Sequence, residues 1–229
     1  MNISLDENFD FACELSEKEF THEELLEMLN NGNIAERQIA ALKFDKVESE
    51  IDALALMNNL TGCDGKIREA VALRINQLVA TEPECRSYFN FPLVFADATI
   101  DINANICRLV VDSAKLLKKE SDFTHIYVQR ILEFTQDAFD ELDRFIFRDK
   151  KYVINKQLFK LYWCLETLQN FYMDIEKSTL ETILSKGAEQ NEYTIREKVA
   201  QVVKLSGDFQ ELAEKLKFDE NYYVRAVFS

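Results

Sequence analysis

The stretch Arg144–Lys160 concentrates positive charge in a chain that is otherwise acidic. It holds Arg144, Arg148, Lys150, Lys151, Lys156 and Lys160 against one acid, Asp149. Aromatic residues run through the same region. Twelve of the 26 aromatics fall between Phe123 and Tyr172, Trp163 among them. Cations tracking a groove with rings between them could hold a single-stranded nucleic acid or another phosphate-bearing ligand. The same residues also fit an ordinary helix pair. Phe145 falls on an apolar helical stripe, and Arg148, Lys150 and Lys151 fall in a turn, where charges are simply solvated. Arg144, Arg148, Lys150, Lys151, Lys156, Lys160 and Trp163 are therefore either a partner- or phosphate-binding patch or a solvated face.

Other chemistries find less material. Of the two histidines, only His22 has an acidic neighbour, Glu23, and one His-Glu pair cannot build a metal site. His125 has no ligand-spaced partner. Both are expected at helix starts, exposed or structural, and no metal, cofactor or catalytic residue is expected. The five cysteines (Cys13, Cys63, Cys85, Cys107 and Cys164) show no CxxC and no zinc spacing. They read as reduced thiols of a cytoplasmic protein. Neither a nucleophile elbow nor a phosphate-cradling glycine loop is present.

The net charge of −14 disfavours nucleic acid and anionic membranes as partners, since both are negatively charged. The acidity is uneven. Residues 1–32 hold nine acids and one lysine, a net −8. Residues 1–20 are read as an acidic arm whose Phe9, Phe11 and Leu15 could dock on the first helices. The acidic start is unlike a signal peptide. The longest charge-free run, Ala53–Cys63, is 11 residues, short of the ~20 needed to span a bilayer.

Five glycines and two prolines, where average usage would give about 16 and about 11, leave few turns and favour long helices. Thr21 with Glu24 forms a capping-box pattern. Helical patterns follow over 34–44 and 49–60. Ile67, Val71, Ile75 and Leu78 then recur at spacings of 4, 4 and 3, the helical period. Pro92 suits a first helical turn. Further helices are predicted through Asp97, over 103–119, 124–147 and 152–173, from a capping box at Ser178 to a boundary at Gly187 and Asn191, and over 194–205, 208–218 and 222–228.

An internal repeat organises these helices. Ile67-Arg68-Glu69-Ala70-Val71-Ala72 recurs as Ile195-Arg196-Glu197-Lys198-Val199-Ala200, identical at five of six positions. Val224-Arg225-Ala226-Val227 is a shorter echo, and Ile106-Cys107-Arg108-Leu109-Val110 a weaker one. Each opens a helix after a polar turn: Asp64-Gly65, Asp101 and Asn103, Asn191-Glu192, and Asp219-Glu220-Asn221. On these residues the chain resembles the HEAT-repeat family, with Asp64, Arg68, Arg108, Arg196 and Arg225 as its repeat-structural positions. The resemblance covers residues 21–229 and departs at 124–173, where the helices are longer and the Ile/Val-Arg turn is missing.

The resemblance implies an all-α superhelix, a solenoid of five to six antiparallel helix pairs in a single repeat domain. It implies Asp and Arg side chains bonding between neighbouring pairs. HEAT-like folds also include two enzyme classes, iron hydroxylases with several His-Glu pairs and alkylpurine glycosylases with a strongly basic aromatic face; this chain has one His-Glu pair, and its net charge of −14 argues against such a face. The function expected is a non-enzymatic adaptor that binds a protein partner, one with a basic segment, on its concave surface. Polar positions such as Glu69, Asn76, Arg108, Lys156, Lys160 and Glu197 are candidates for that surface. The alternative is a nucleic-acid-associated, glycosylase-like protein using 144–160. A third, an accessory subunit like the bilin-attaching lyases, rests on fold analogy alone.

Overall fold

The computed structural model describes residues 13–119, 122–144 and 151–229. Arg148, Lys150 and residues 1–12 of the acidic arm lie outside the described residues. Every regular element among the described residues is helical. None of these helices is long and apolar enough to cross a membrane. The chain divides into two compact units, one ending at Phe123 and the other spanning Thr124–Ser229.

The first unit contains α1 (His22–Asn31), α2 (Ile34–Lys43), α3 (Glu50–Leu60), α4 (Gly65–Thr81), α5 (Pro92–Thr99) and α6 (Ala104–Leu117). Their starts are set by side chains that satisfy the free N–H groups of a first helical turn. Thr21 and Glu24 cap α1 reciprocally, and Asn33 and Glu36 do the same for α2. Ser49, Asp64 and Asn103 cap α3, α4 and α6. Pro92 opens α5 at its first position, where no N–H is needed. Between α4 and α5 the chain forms a 3-10 segment, Pro83–Phe89, held down by fully buried Cys85 and Phe89.

Packing pairs these helices into three hairpins, α1–α2, α3–α4 and α5–α6. The first helices, α1, α3 and α5, touch in sequence. The second helices, α2, α4 and α6, form a parallel row. Between the rows lie Leu29, Phe44, Leu56, Val71, Ile75, Phe95 and Ile106, each almost wholly buried. Each such side chain contributes about 1.5–3 kcal/mol. Phe123 closes this core edge-on against Phe95, with ring centroids 5.4 Å apart.

The second unit is also built of helices. It contains α7 (Phe123–Arg144, entering the unit at Thr124), α8 (Lys151–Phe171), α9 (Lys177–Ala188), α10 (Tyr193–Ser206), α11 (Gln210–Lys217) and α12 (Tyr222–Ala226). Helix α8 packs on α10 and α10 on α12, while α9 touches α11. Tyr127 of α7 meets Phe171 of α8 at 5.4 Å. Lys186 of α9 lies 5.7 Å over the Phe139 ring of α7.

Two expected helix boundaries are corrected. Ser178 does not cap α9. The N-cap position is Glu176, whose carboxylate accepts the Ser178 and Thr179 hydroxyls, so the helix begins at Lys177, two residues earlier than a Ser178 cap would start it. Gly187 does not end that helix either but lies inside its last turn. A Cβ there would meet Val199 Cγ2 at 2.6 Å, so glycine is what lets α9 approach α10.

Candidate functional site

The repeated arginines sit at one register. Arg68, Arg196 and Arg225 are each the fourth residue after the cap of a second helix, Asp64, Glu192 and Asn221 respectively. From there a guanidinium can reach back over its own turn. Arg68 Nη1 donates to the Gly62 and Cys63 carbonyls at 2.8 and 3.1 Å. Arg196 Nη1 donates to those of Gln190 and Asn191 at 2.8 and 2.9 Å. The other edge reaches forward to the next hairpin. Arg68 Nε and Nη2 meet Asp101 Oδ2 and Oδ1 at 2.6 and 3.3 Å. Arg196 meets Asp219 in the same way at 2.7 and 3.0 Å.

The receiving turn is built for this. Asp101 Oδ1 also accepts the Asn103 N–H, and Asp219 Oδ1 that of Asn221, each at 2.8 Å. The two asparagines in turn cap α6 and α12. Asp-x-Asn thus performs two tasks, one residue receiving the arginine and the other starting the helix. The hydrogen bond from Arg196 holds the Asp219 carboxyl below its usual range, against the opposing effect of burial. Hydrogen bonds to the two aspartates raise Arg68 and Arg196.

Arg108 is not part of this ladder. It is exposed and lies 3.8 Å from Asp112 of its own helix. The register position in α6 belongs to Cys107, whose thiol donates to the Asp101 carbonyl at 3.0 Å. Asp64 caps α4 through the Lys66 and Ile67 N–H groups and receives no arginine from the preceding hairpin. Arg37 is a further member that the recurring Ile-Arg-Glu motif does not mark. Four residues after the Asn33 cap, it donates to the Gly32 and Asn30 carbonyls at 2.8 and 2.9 Å and to Asn59 Oδ1 at 3.2 Å. Its signal is the cap-plus-four spacing, hidden because Glu36-Arg37-Gln38 stands where the recurring motif has Ile-Arg-Glu.

The basic aromatic segment separates into unlike parts. Arg144 ends α7 and pairs with Glu141 at 2.8 Å. Lys151 and Lys156 are exposed on α8. Lys160 is half-buried, 4.7 Å above the Phe134 ring and 3.9 Å from Asp137. Arg130 stands over the same ring at 4.2 Å. Trp163 is 8% exposed, wedged against Phe159 and Tyr162, with its Nε1 buried and unbonded. Lys198 of α10 pairs with Glu166 and lies 4.8 Å over Tyr162. Trp163 therefore offers no ring face to a stacked base. Among the described residues of 144–160, Tyr152 is the widely exposed ring.

Several presumed surface positions are spent on neighbouring helices. Asn76 donates to the Leu109 carbonyl and the Ser113 hydroxyl of α6. Glu69 accepts from Asn103 and Asn105. His22 is likewise not a free surface group. Its Nε2 lies 3.1 Å from Oδ1 of Asp52, which is 3% exposed, and its ring leans on Phe44. His125 is exposed. No group of three or more metal-ligating side chains is assembled among the described residues.

The acidic surface is in the first unit. Glu14, Glu17, Glu19, Glu23, Glu24 and Glu27 are all exposed, on the short helical turn at 13–17, on the connection after it and on α1. Leu15 anchors that turn at 6% exposure. Glu24 and Glu27 are engaged locally by Thr21 and Asn31. The other four have no partner among the described residues. In the second unit, a cleft lined by Lys177, Glu181, Asp208, Phe209 and Lys215 alternates in sign, with Lys177 bonded to Asp208 at 2.8 Å.

No protein-family model matches the chain, and no curated protein or solved structure matches it significantly.

Proposed function

We propose that this chain is a HEAT-like repeat protein that binds a protein partner carrying a basic segment. The observation that carries this reading is the set of exposed carboxylates Glu14, Glu17, Glu19 and Glu23, which have no partner among the described residues, at one end of the first unit. Only Lys18 stands among them. Unpaired charges of one sign raise the local concentration of opposite charge and speed encounter. Stacked hairpins joined by arginine–aspartate forks supply a rigid scaffold, which lowers the entropy lost on binding.

The test is fluorescence anisotropy of a labelled Lys/Arg-rich peptide titrated with the full chain. Binding is expected at about 50 mM salt and should weaken steeply by about 300 mM. Replacing Glu14, Glu17, Glu19 and Glu23 together with lysine should abolish it. A peptide that fails to bind at the lower salt, or binds the substituted chain equally well, rules the reading out.

A further inference from the structure

In the second unit, α9 and α11 lie side by side and enclose a cleft of about 530 Å³. Lys177 and Glu181 stand four residues apart on α9 and so share one face of that helix, which forms the first wall. The opposite wall carries Asp208, Glu211 and Lys215, from α11 and the turn before it. Phe209, 7% exposed, and Leu212 supply an apolar floor.

Ion pairs cross the cleft at both ends. Lys177, the first residue of α9, donates to Asp208 Oδ1 at 2.8 Å. Lys215, in the last turn of α11, pairs with Glu189, the C-cap of α9. Both lysines of the cleft are thereby spent. Glu181 on one wall and Glu211 on the other are exposed and have no hydrogen bond or ion pair among the described residues. Two negative charges are left uncompensated beside the apolar floor.

The cleft already holds the kind of group that would compensate them. The Lys177 ammonium meets a carboxylate and lies 5.8 Å from the centroid of the Phe209 ring, within reach of its negative face. A ligand with one ammonium group leaves one glutamate unfilled, and a single exposed ion pair is weak. Two ammonium groups on one flexible chain fill both, since the second contact becomes intramolecular once the first is made. The methylenes between them can cover Phe209 and Leu212, which a compact inorganic cation cannot do.

From these contacts we infer that the α9–α11 cleft binds an aliphatic polyamine, with Glu181 and Glu211 each taking one ammonium group and the methylene chain lying on Phe209 and Leu212. The cleft volume falls in the range of small-molecule sites, about 300–1,000 Å³. The site uses none of the four glutamates of the partner surface and stands or falls apart from that reading.

Isothermal titration calorimetry of the full chain with spermidine tests it, in about 150 mM sodium chloride, where charge is screened beyond about 8 Å. The wild type should bind one spermidine saturably, with a Kd below about 1 mM. Pentylamine, which carries one ammonium group, should bind at least about 10-fold more weakly. The double variant Glu181→Gln with Glu211→Gln should lose at least about 10-fold in affinity for spermidine. Both side chains are exposed, so its circular dichroism spectrum should match that of the wild type. The chain with Glu14, Glu17, Glu19 and Glu23 replaced by lysine should bind spermidine as the wild type does.

A titration that does not saturate overturns the inference, as does a double variant that binds like the wild type. Magnesium chloride that displaces spermidine no better than sodium chloride of equal ionic strength supports it, and magnesium that displaces it fully shows a site for charge alone and overturns it. An Nα-acetyl-lysine amide that binds as tightly as spermidine assigns the cleft to a lysine side chain of a protein and equally overturns the polyamine.

Discussion

Arg196 grips Asp219 of the following hairpin through two parallel N–H···O bonds, with both side chains under 10% exposed. The fork fixes both the distance and the plane of contact between α10 and the turn before α12. A planar guanidinium can do this and a lysine ammonium cannot. Removing the arginine leaves a buried carboxylate without its cation. We expect Arg196→Ala to lower the unfolding free energy by about 3 kcal/mol, and Arg196→Lys to recover only part of that. The exposed pair Lys177–Asp208 is the control. Lys177→Ala should change stability by less than about 1 kcal/mol. Urea unfolding of the three variants measures all of these.

The same pair sets an acid limb. The Asp219 carboxyl is held below the usual range by the Arg196 fork, so the folded chain releases its proton more readily than the unfolded one. Its stabilisation is fully present above the unfolded value of about 3.9 and is lost as pH falls through the depressed folded value. Asp52 acts with the same sign. Burial pushes it up, but hydrogen bonds from the Glu48 N–H, His22 and Ser49 outweigh that and hold it low. Urea midpoints should stay flat on this account from about pH 7 to about pH 5 and drop below about pH 4. In Asp219→Asn the drop should be shallower, and its stability deficit against wild type should shrink as acid is added.

Gly187 and Gly207 are glycine for opposite reasons. At Gly187 the backbone is helical, but a methyl group would strike Val199 Cγ2 at 2.6 Å. At Gly207 there is open space, but φ is +69° at the C-cap of α10. Gly187→Ala should cost about 1–3 kcal/mol by overpacking, and the double variant with Val199→Ala should recover most of it. Gly207→Ala should cost about 1–2 kcal/mol through the backbone alone, with no rescue by trimming any neighbour. Thermal melts of the four proteins separate the two mechanisms.

Much of the helix order was legible because caps and apolar stripes are local signals. Thr21 with Glu24, Ser49 and Pro92 each start a helix where their chemistry says they should. The Ile-Arg-Glu recurrence located two clasping arginines, since the side chain that reaches across must sit at a fixed distance from the cap. Spacing could not show that Arg108 stands one residue past that register while Cys107 occupies it. Nor could it find Arg37, whose flanking residues differ although its cap-plus-four position does not. Charge along a sequence does not say which cations are covered, and Lys160 proves to be laid against Phe134 and Asp137. Nor does composition show that the Trp163 indole packs against Phe159 and Tyr162.

The five thiols should divide sharply in reactivity. All are free, with Cys13 and Cys63 exposed and Cys85, Cys107 and Cys164 buried. The reacting species is the thiolate, so both access and ionisation matter. Burial pushes Cys85 up to about 11. Burial likewise pushes Cys164 up to about 12, despite an opposing hydrogen bond with Thr135. Cys107 is occupied in donating to the Asp101 carbonyl, inside the clasp that Arg68 closes. With an aromatic disulfide reagent near neutral pH, two equivalents should react rapidly and three should wait for unfolding. Arg68→Ala loosens the turn around Asp101, so Cys107 should then join the fast class ahead of Cys85 and Cys164. Mass spectrometry of the peptides carrying the mixed disulfide assigns each site. Rapid labelling of Cys164 in the native chain would contradict the packing of α8 against its neighbours.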